Sequence, residues 1–249
     1  MLIGLFSLKS SPGVTTTALT LAGAWPSGAP RPTVMELDGR GGDVAWRFGL
    51  AADPGLRSLA VASRVRPALE LLDAHSQFVG AACVPVVAAP VEGNAAWNAA
   101  MSLKPLFGVL SKAPEPVLVD FGAVDLKNPD MRSLLAGVAA PVVVARAVPE
   151  QIARLQSVAE DLLSVHSQVK TVLIGDVDSR EAAGMLNLPV AGVLPLINPD
   201  AGPLARLMGL RSRRLFEAAA MRLATELSVC SEVFGSVCEA PNDRAEVSW

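Results

Sequence analysis

Residues 2–24 read LIGLFSLKSSPGVTTTALTLAGA, and the fold turns on how this stretch divides. Leu2 to Phe6 is an apolar run of strand length. Lys9-Ser10-Ser11-Pro12-Gly13 then interrupts it with loop chemistry. From Thr15 to Ala24, Ala and Leu recur at helical spacing. Strand, loop and helix start, in that order, form the layout of a phosphate-binding loop. Backbone N–H groups turn inward and the helix contributes its positive end. Such a loop normally carries a lysine that reaches the terminal phosphates, followed by a Ser or Thr that binds magnesium. Here Val14 stands where that lysine belongs.

Working outward, apolar strand signals alternate with helical ones. Thr33–Leu37, Val84–Ala88, Pro116–Asp120, Pro141–Arg146, Lys170–Ile174 and Val190–Leu194 are predicted as further strands. Leu56–Ala62, Ala68–Ala74, Ala95–Lys112, Met131–Val138, Pro149–His166 and Leu204–Leu227 are predicted as helices, the last with a break near Gly209. Strands that are apolar throughout and separated by helices belong to a parallel sheet covered on both faces. Right-handed crossovers place those helices on either side. The expected fold is therefore a doubly wound, mostly parallel α/β sheet. It forms one domain over residues 1–227, followed by a flexible polar tail over residues 228–249.

Composition narrows the function classes. A net charge of -3 gives no global attraction to nucleic acid or anionic lipid. Cys83, Cys230 and Cys238 lack metal-ligand spacing and stand apart from His75 and His166, which argues against a zinc site or a disulfide framework. Cys83 is expected to be a buried strand residue. The most apolar stretch, Val79 to Val91, is short for a membrane span and contains Pro85 and Pro90. The start of the chain has no basic segment before its apolar run, so a cytoplasmic location is expected.

The loop at Lys9 resembles the deviant Walker A motif of the MinD/ParA family, K-G-G-x-G-K-[ST]-T. Lys9 matches the signature lysine, Gly13 the later glycine, and Thr15 and Thr16 the closing pair. Ser10 and Ser11 replace two glycines, Leu8 replaces the glycine before the signature lysine, and Val14 replaces the loop lysine. Four further stretches are similar, in the same order along the chain. Val34-Met35-Glu36-Leu37-Asp38, with Gly41-Gly42-Asp43 and Phe48-Gly49-Leu50, resembles the second strand and first switch. Val117–Gly122 resembles the Walker B strand. Val142–Glu150 resembles the strand and the Pro-Glu helix start that follow, and Pro189–Pro195 a late strand.

The resemblance implies a P-loop NTPase fold, bound ATP and Mg2+, and a face-to-face homodimer. It also implies site roles. Residues Lys9, Ser10, Ser11, Pro12, Gly13, Val14, Thr15 and Thr16 would surround the phosphates. Lys9 would reach the partner's nucleotide. Thr15 and Asp120 would hold the metal, Asp120 through water, and Asp38 would position the attacking water. Asp43 reads as a switch residue or a helix cap. Asp176 lies where the family reads adenine.

Two functions stay open. One is a nucleotide-dependent dimerising switch that positions chromosomes, division sites, pili or secretion machinery, with slow or partner-dependent hydrolysis. The other is a non-catalytic scaffold that acts by dimerisation and partner binding. Losing the loop lysine removes a charge-assisted contact of roughly 1.5–3 kcal/mol, which leaves hydrolysis in question. The arginines Arg206, Arg211, Arg213, Arg214 and Arg222 would serve DNA or a membrane in relatives. The plainer reading is a core-packed helix with a solvated arginine face.

Overall fold

The computed structural model describes residues 1–9, 12–196 and 214–228. Eight strands form one sheet in the order β3-β4-β2-β5-β1-β6-β7-β8. They are β1 Leu2–Ser7, β2 Thr33–Glu36, β3 Gln77–Val79, β4 Val84–Val87, β5 Val117–Ala123, β6 Ala140–Arg146, β7 Lys170–Ile174 and β8 Val190–Leu194. All neighbours pair in parallel except the edge strand β3, which runs antiparallel to β4. The doubly wound, mostly parallel sheet is thus present.

Side chains alternate cleanly across the sheet. Leu2, Phe6, Met35, Val87, Val119, Phe121, Val143 and Leu173 point to one face. Ile3, Leu5, Val34, Val86, Leu118, Val142, Val144 and Val172 point to the other. This period of two, apolar on both faces, is what a sheet sandwiched between helices requires.

The first face is covered by α3 Leu56–Val65, α4 Glu70–Ala74, α5 Gly93–Ser102, α6 Lys104–Leu110, α7 Pro129–Ala136, α8 Pro149–Ser157, α9 Ala159–Val165 and α10 Ser179–Met185. The second is covered by α1 Val14–Gly23, α2 Val44–Phe48 and a further helix, α11, over residues 214–228. In α11, Ala220, Leu223, Ala224 and Leu227 are buried while Arg214 and Arg222 are exposed, so this segment is a packed helix with a solvated basic face. Leu215, expected on the apolar side, is 57% exposed. Leu207, Arg206, Arg211, Arg213, Cys230, Cys238 and most of the predicted tail lie outside the described residues.

Several expectations are corrected. The segments Ala95–Lys112 and Pro149–His166 are each two helices. The first breaks at Leu103, with Pro105 in the opening turn of α6, and the second at Val158. Cys83 is exposed and sits at φ 48 in the turn before β4, not inside a strand. β3, α2 and α10 had not been predicted. Among the described residues, no helix is long and apolar enough to cross a membrane.

Candidate functional site

The carboxyl ends of β1, β2 and β5 are neighbours in the sheet, and the crevice outside such ends is where open parallel sheets bind ligands. Each strand delivers one part of the predicted site there.

After β1, the Ser7 hydroxyl donates to the carbonyl of Lys9 at 2.9 Å, which begins the loop. Gly13 takes φ 101 as the residue that caps α1, and its carbonyl accepts from the Thr17 amide at 2.8 Å. Gly13 has no side chain to cap the amides of the first helical turn. Val14 is buried in the apolar core on the α1 side of the sheet, so the position of the missing lysine is a packing position. Pro12 is buried, Thr15 is half-buried and Thr16 is exposed. Lys9 is exposed and lies over β6 and α8, beside Ala145, Gln151 and Arg154. Ser10 and Ser11 lie outside the described residues.

On β5, Asp120 is fully buried. Its Oδ1 accepts from the Gly122 amide at 2.9 Å, whereas Oδ2 is buried without a hydrogen-bond partner. Burial pushes its carboxyl up to about 6; the Thr15 hydroxyl, close to the carboxylate but outside hydrogen-bonding geometry with it, and the Gly122 amide oppose that rise by favouring the charged form. The Asp38 and Asp43 carboxylates add to the rise. Asp38, Asp120 and Thr15 therefore converge.

This arrangement fits a magnesium ion. An orphaned oxygen on a buried carboxylate, next to a threonine hydroxyl, is a half-built oxygen site of the kind magnesium completes with phosphates and water. Among the described residues there is no group of three or more His, Cys, Asp or Glu that would make an all-protein metal cage.

After β2, the chain turns tightly. Asp38 Oδ1 accepts from the Arg40 backbone amide at 2.9 Å and from Arg40 Nε at 3.1 Å, and Oδ2 accepts from Arg40 Nη2 at 2.8 Å. The group expected to position water is thus engaged by a forked guanidinium. Asp38 also lies directly over Gly122, whose φ of 62 and bare Cα make room for the carboxylate. Asp43 caps no helix with its side chain; it is exposed and pairs loosely with Arg47 at 3.8 Å. Asp176 is exposed.

Glu36, like Arg40, is a residue the sequence reading missed. It is only 2% exposed. Its carboxylate accepts from three backbone amides, those of Asp43 at 2.9 Å, Val44 at 3.3 Å and Ala89 at 2.9 Å. It thereby ties the loop after β2 to the end of β4. Burial raises its pKa to about 7 against those three bonds, with the Asp120 charge adding to the rise. The available signal was a lone acid inside Thr-Val-Met-Glu-Leu, since a buried strand carboxylate must have partners.

A groove of about 670 Å3 lies on the far side of this loop, lined by Ala45, Arg57, Ala88, Val91 and Glu92 among others.

The strand order, the Gly-capped first helix and the acids ending β2 and β5 define a MinD/ParA-like P-loop NTPase fold. Solved structures bear this out. The septum site-determining protein MinD of Pyrococcus horikoshii OT3, complexed with Mg-ADP, superposes with a TM-score of 0.69 at 15% identity, covering 93% of this chain and 97% of its own. The pNOB8 ParA bound to nonspecific DNA gives 0.60 at 11% identity, over 93% and 98%. A chain of the MinC:MinD cell division protein complex of Aquifex aeolicus gives 0.54 at 14% identity, over 92% and 95%. No protein-family model matches the sequence, and no curated protein matches it. At these identities the likeness is one of fold, and a fold does not fix a function.

Proposed function

We propose that this protein is an ATP- and Mg2+-binding MinD/ParA-like switch that dimerises and engages a partner of a positioning or partitioning system, with slow or partner-dependent hydrolysis. One observation carries the reading. The orphaned Oδ2 of buried Asp120 sits with the Thr15 hydroxyl and the uncapped start of α1, at the carboxyl ends of the central strands. A buried, unpaired carboxylate oxygen is expensive to maintain without a cation to meet it.

When bound, magnesium would neutralise phosphate charge between Thr15 and Asp120. The chain itself supplies the rest: amides at the start of α1 hold phosphate, and Asp38 is placed to orient water once released from Arg40. Lys9, exposed on the same end of the sheet, is available to a second copy. The solved relatives support the nucleotide by carrying Mg-ADP, and support a partner by their complexes with DNA and with MinC.

A second reading, a non-catalytic scaffold on the same fold, is favoured by two observations. Val14 is a core side chain, and Asp38 is neutralised by Arg40. Titration with a fluorescent ATP analogue, with and without Mg2+, separates the two. The switch predicts saturable, magnesium-enhanced binding below millimolar nucleotide; no saturation at millimolar concentration selects the scaffold. If nucleotide binds, Lys9→Ala should weaken nucleotide-dependent dimerisation more than binding itself, as read by light scattering. Equal loss of both would contradict a role across the dimer.

A further inference from the structure

The loop at the head of α1 has no cation of its own among its described residues that faces Asp120. Val14 points into the core, and Lys9 lies over β6 and α8. Yet the site is acidic: Glu36, Asp38 and Asp120 crowd the ends of β2 and β5. A polyphosphate entering here would face carboxylates, and repulsion between close charges grows as solvent is excluded. One protein cation is in place. The Arg40 guanidinium grips Asp38 by two nitrogens, at 3.1 and 2.8 Å, while its side chain remains 53% exposed. Asp120 acts on it as well, joining Asp38 in favouring its charged form.

The loop that presents Arg40 is held from three directions. Glu36 binds the amides of Asp43 and Val44. The Gly42 amide donates to the Pro90 carbonyl at 2.8 Å. Gly41, at φ 114, lies against the Val91 carbonyl so closely that no Cβ fits. A loop pinned in this way fixes where the arginine can act.

We propose that Arg40 is the phosphate-binding cation of this site. It supplies, from the loop after β2, the positive charge that Val14 withholds from the loop after β1. This rests on the nucleotide reading above. In the free protein Arg40 is held on Asp38. On binding, its planar fork exchanges that carboxylate for the oxygens of the β- or γ-phosphate, a group that guanidinium matches equally well. The exchange frees Asp38 to meet water. Arg40 thus couples phosphate binding to exposure of Asp38, which a loop lysine does not do.

The test uses the full chain and two fluorescent probes, MANT-ATP and MANT-AMP. Arg40→Gln should weaken MANT-ATP binding by about tenfold to a hundredfold and leave MANT-AMP unchanged. Arg40→Lys keeps the charge but not the fork, and should fall between. Asp38→Asn loosens the hold on the guanidinium and should tighten MANT-ATP binding. Val14→Lys added to Arg40→Gln should restore part of the loss. If wild type binds MANT-ATP and Arg40→Gln binds it equally well or better, Arg40 is only a lock on Asp38; this proposal fails while the nucleotide reading stands. If wild type binds neither probe at millimolar concentration, both fail. Circular dichroism of the exposed-site variants confirms that each is folded.

Discussion

The loops that leave β1 and β2 lie on either side of β5, and they are held by opposite means. The first is anchored by an apolar side chain, Val14, below a glycine-capped helix start, and offers mainly backbone amides. The second is anchored by a buried acid, Glu36, and offers charged side chains, Asp38 and Arg40. In the motif this chain resembles, the cation that grips phosphate belongs to the first loop. Here that duty has no bearer in the first loop's described residues, and the second loop carries an arginine. If Arg40 takes up that duty, as proposed, a site's charge balance is kept while the position of each charge along the sequence changes. A single motif read in isolation registers the loss at Val14 and not the arginine two strands away.

The largest way to break this contrast is to remove the second loop's anchor. Glu36→Ala leaves two buried amides and one part-buried amide unpaired, and should lower stability by on the order of 3–5 kcal/mol in urea titration. A loss below about 1 kcal/mol would mean that the loop is held by its glycines alone.

The same anchor sets a pH dependence. Glu36 stands at about 7 in the folded chain against an ordinary 4.5. The folded state therefore keeps a proton that the unfolded chain releases first. This stability is fully present below pH 4.5 and is lost as pH rises through 7, a change on the order of 3 kcal/mol. Asp120, at about 6 against 3.8, acts in the same sense over a lower window. The urea midpoint of the nucleotide-free protein should fall between pH 5 and 8, and Glu36→Gln should flatten the upper part of that slope. A midpoint that rises with pH would show that the three amide bonds outweigh burial.

The first loop's anchor is apolar, so its loss is felt through packing. Val14→Lys should destabilise the nucleotide-free protein by about 1.5–3 kcal/mol, yet raise affinity for MgATP if the loop keeps its phosphate-binding shape. Stability lost with no affinity gained would mark the first loop as a packing element only. The smallest effect is expected at Trp46, between the two anchors in neither sense. It is 83% exposed on α2, and Trp46→Ala should change stability by less than about 0.5 kcal/mol. A larger change would place the tryptophan against a surface that the free chain does not show.

The sheet was legible in the sequence because its signals are long and apolar. β7 and β8 match their predicted ends, and β1 differs by a single residue, Ser7. β3 escaped because a three-residue strand is too short for a period of two to register. The break at Pro105 had a visible cause, since proline suits the first turn of a helix better than its interior. The break at Val158 had none, because apolar periodicity runs unbroken through it. Cys83 misled because it adjoins an apolar strand, whereas its positive φ belongs to the turn before it. Thr15, Asp38 and Asp120, which the structure brings together, were singled out by their place at a helix start and at strand ends and by their order along the chain. Glu36 and Arg40 were not, because their meaning depends on partners brought together only by folding: Ala89 in one case, and the neighbourhood of Asp120 in the other.

The most direct test of the central claim is a crystal structure of the full chain grown with Mg2+ and a non-hydrolysable ATP analogue. The account predicts phosphate against the amides that open α1, with the metal between the Thr15 hydroxyl and Asp120. Nucleotide bound elsewhere on the chain, or a crevice still empty at saturating nucleotide with Asp120 unchanged, would contradict it.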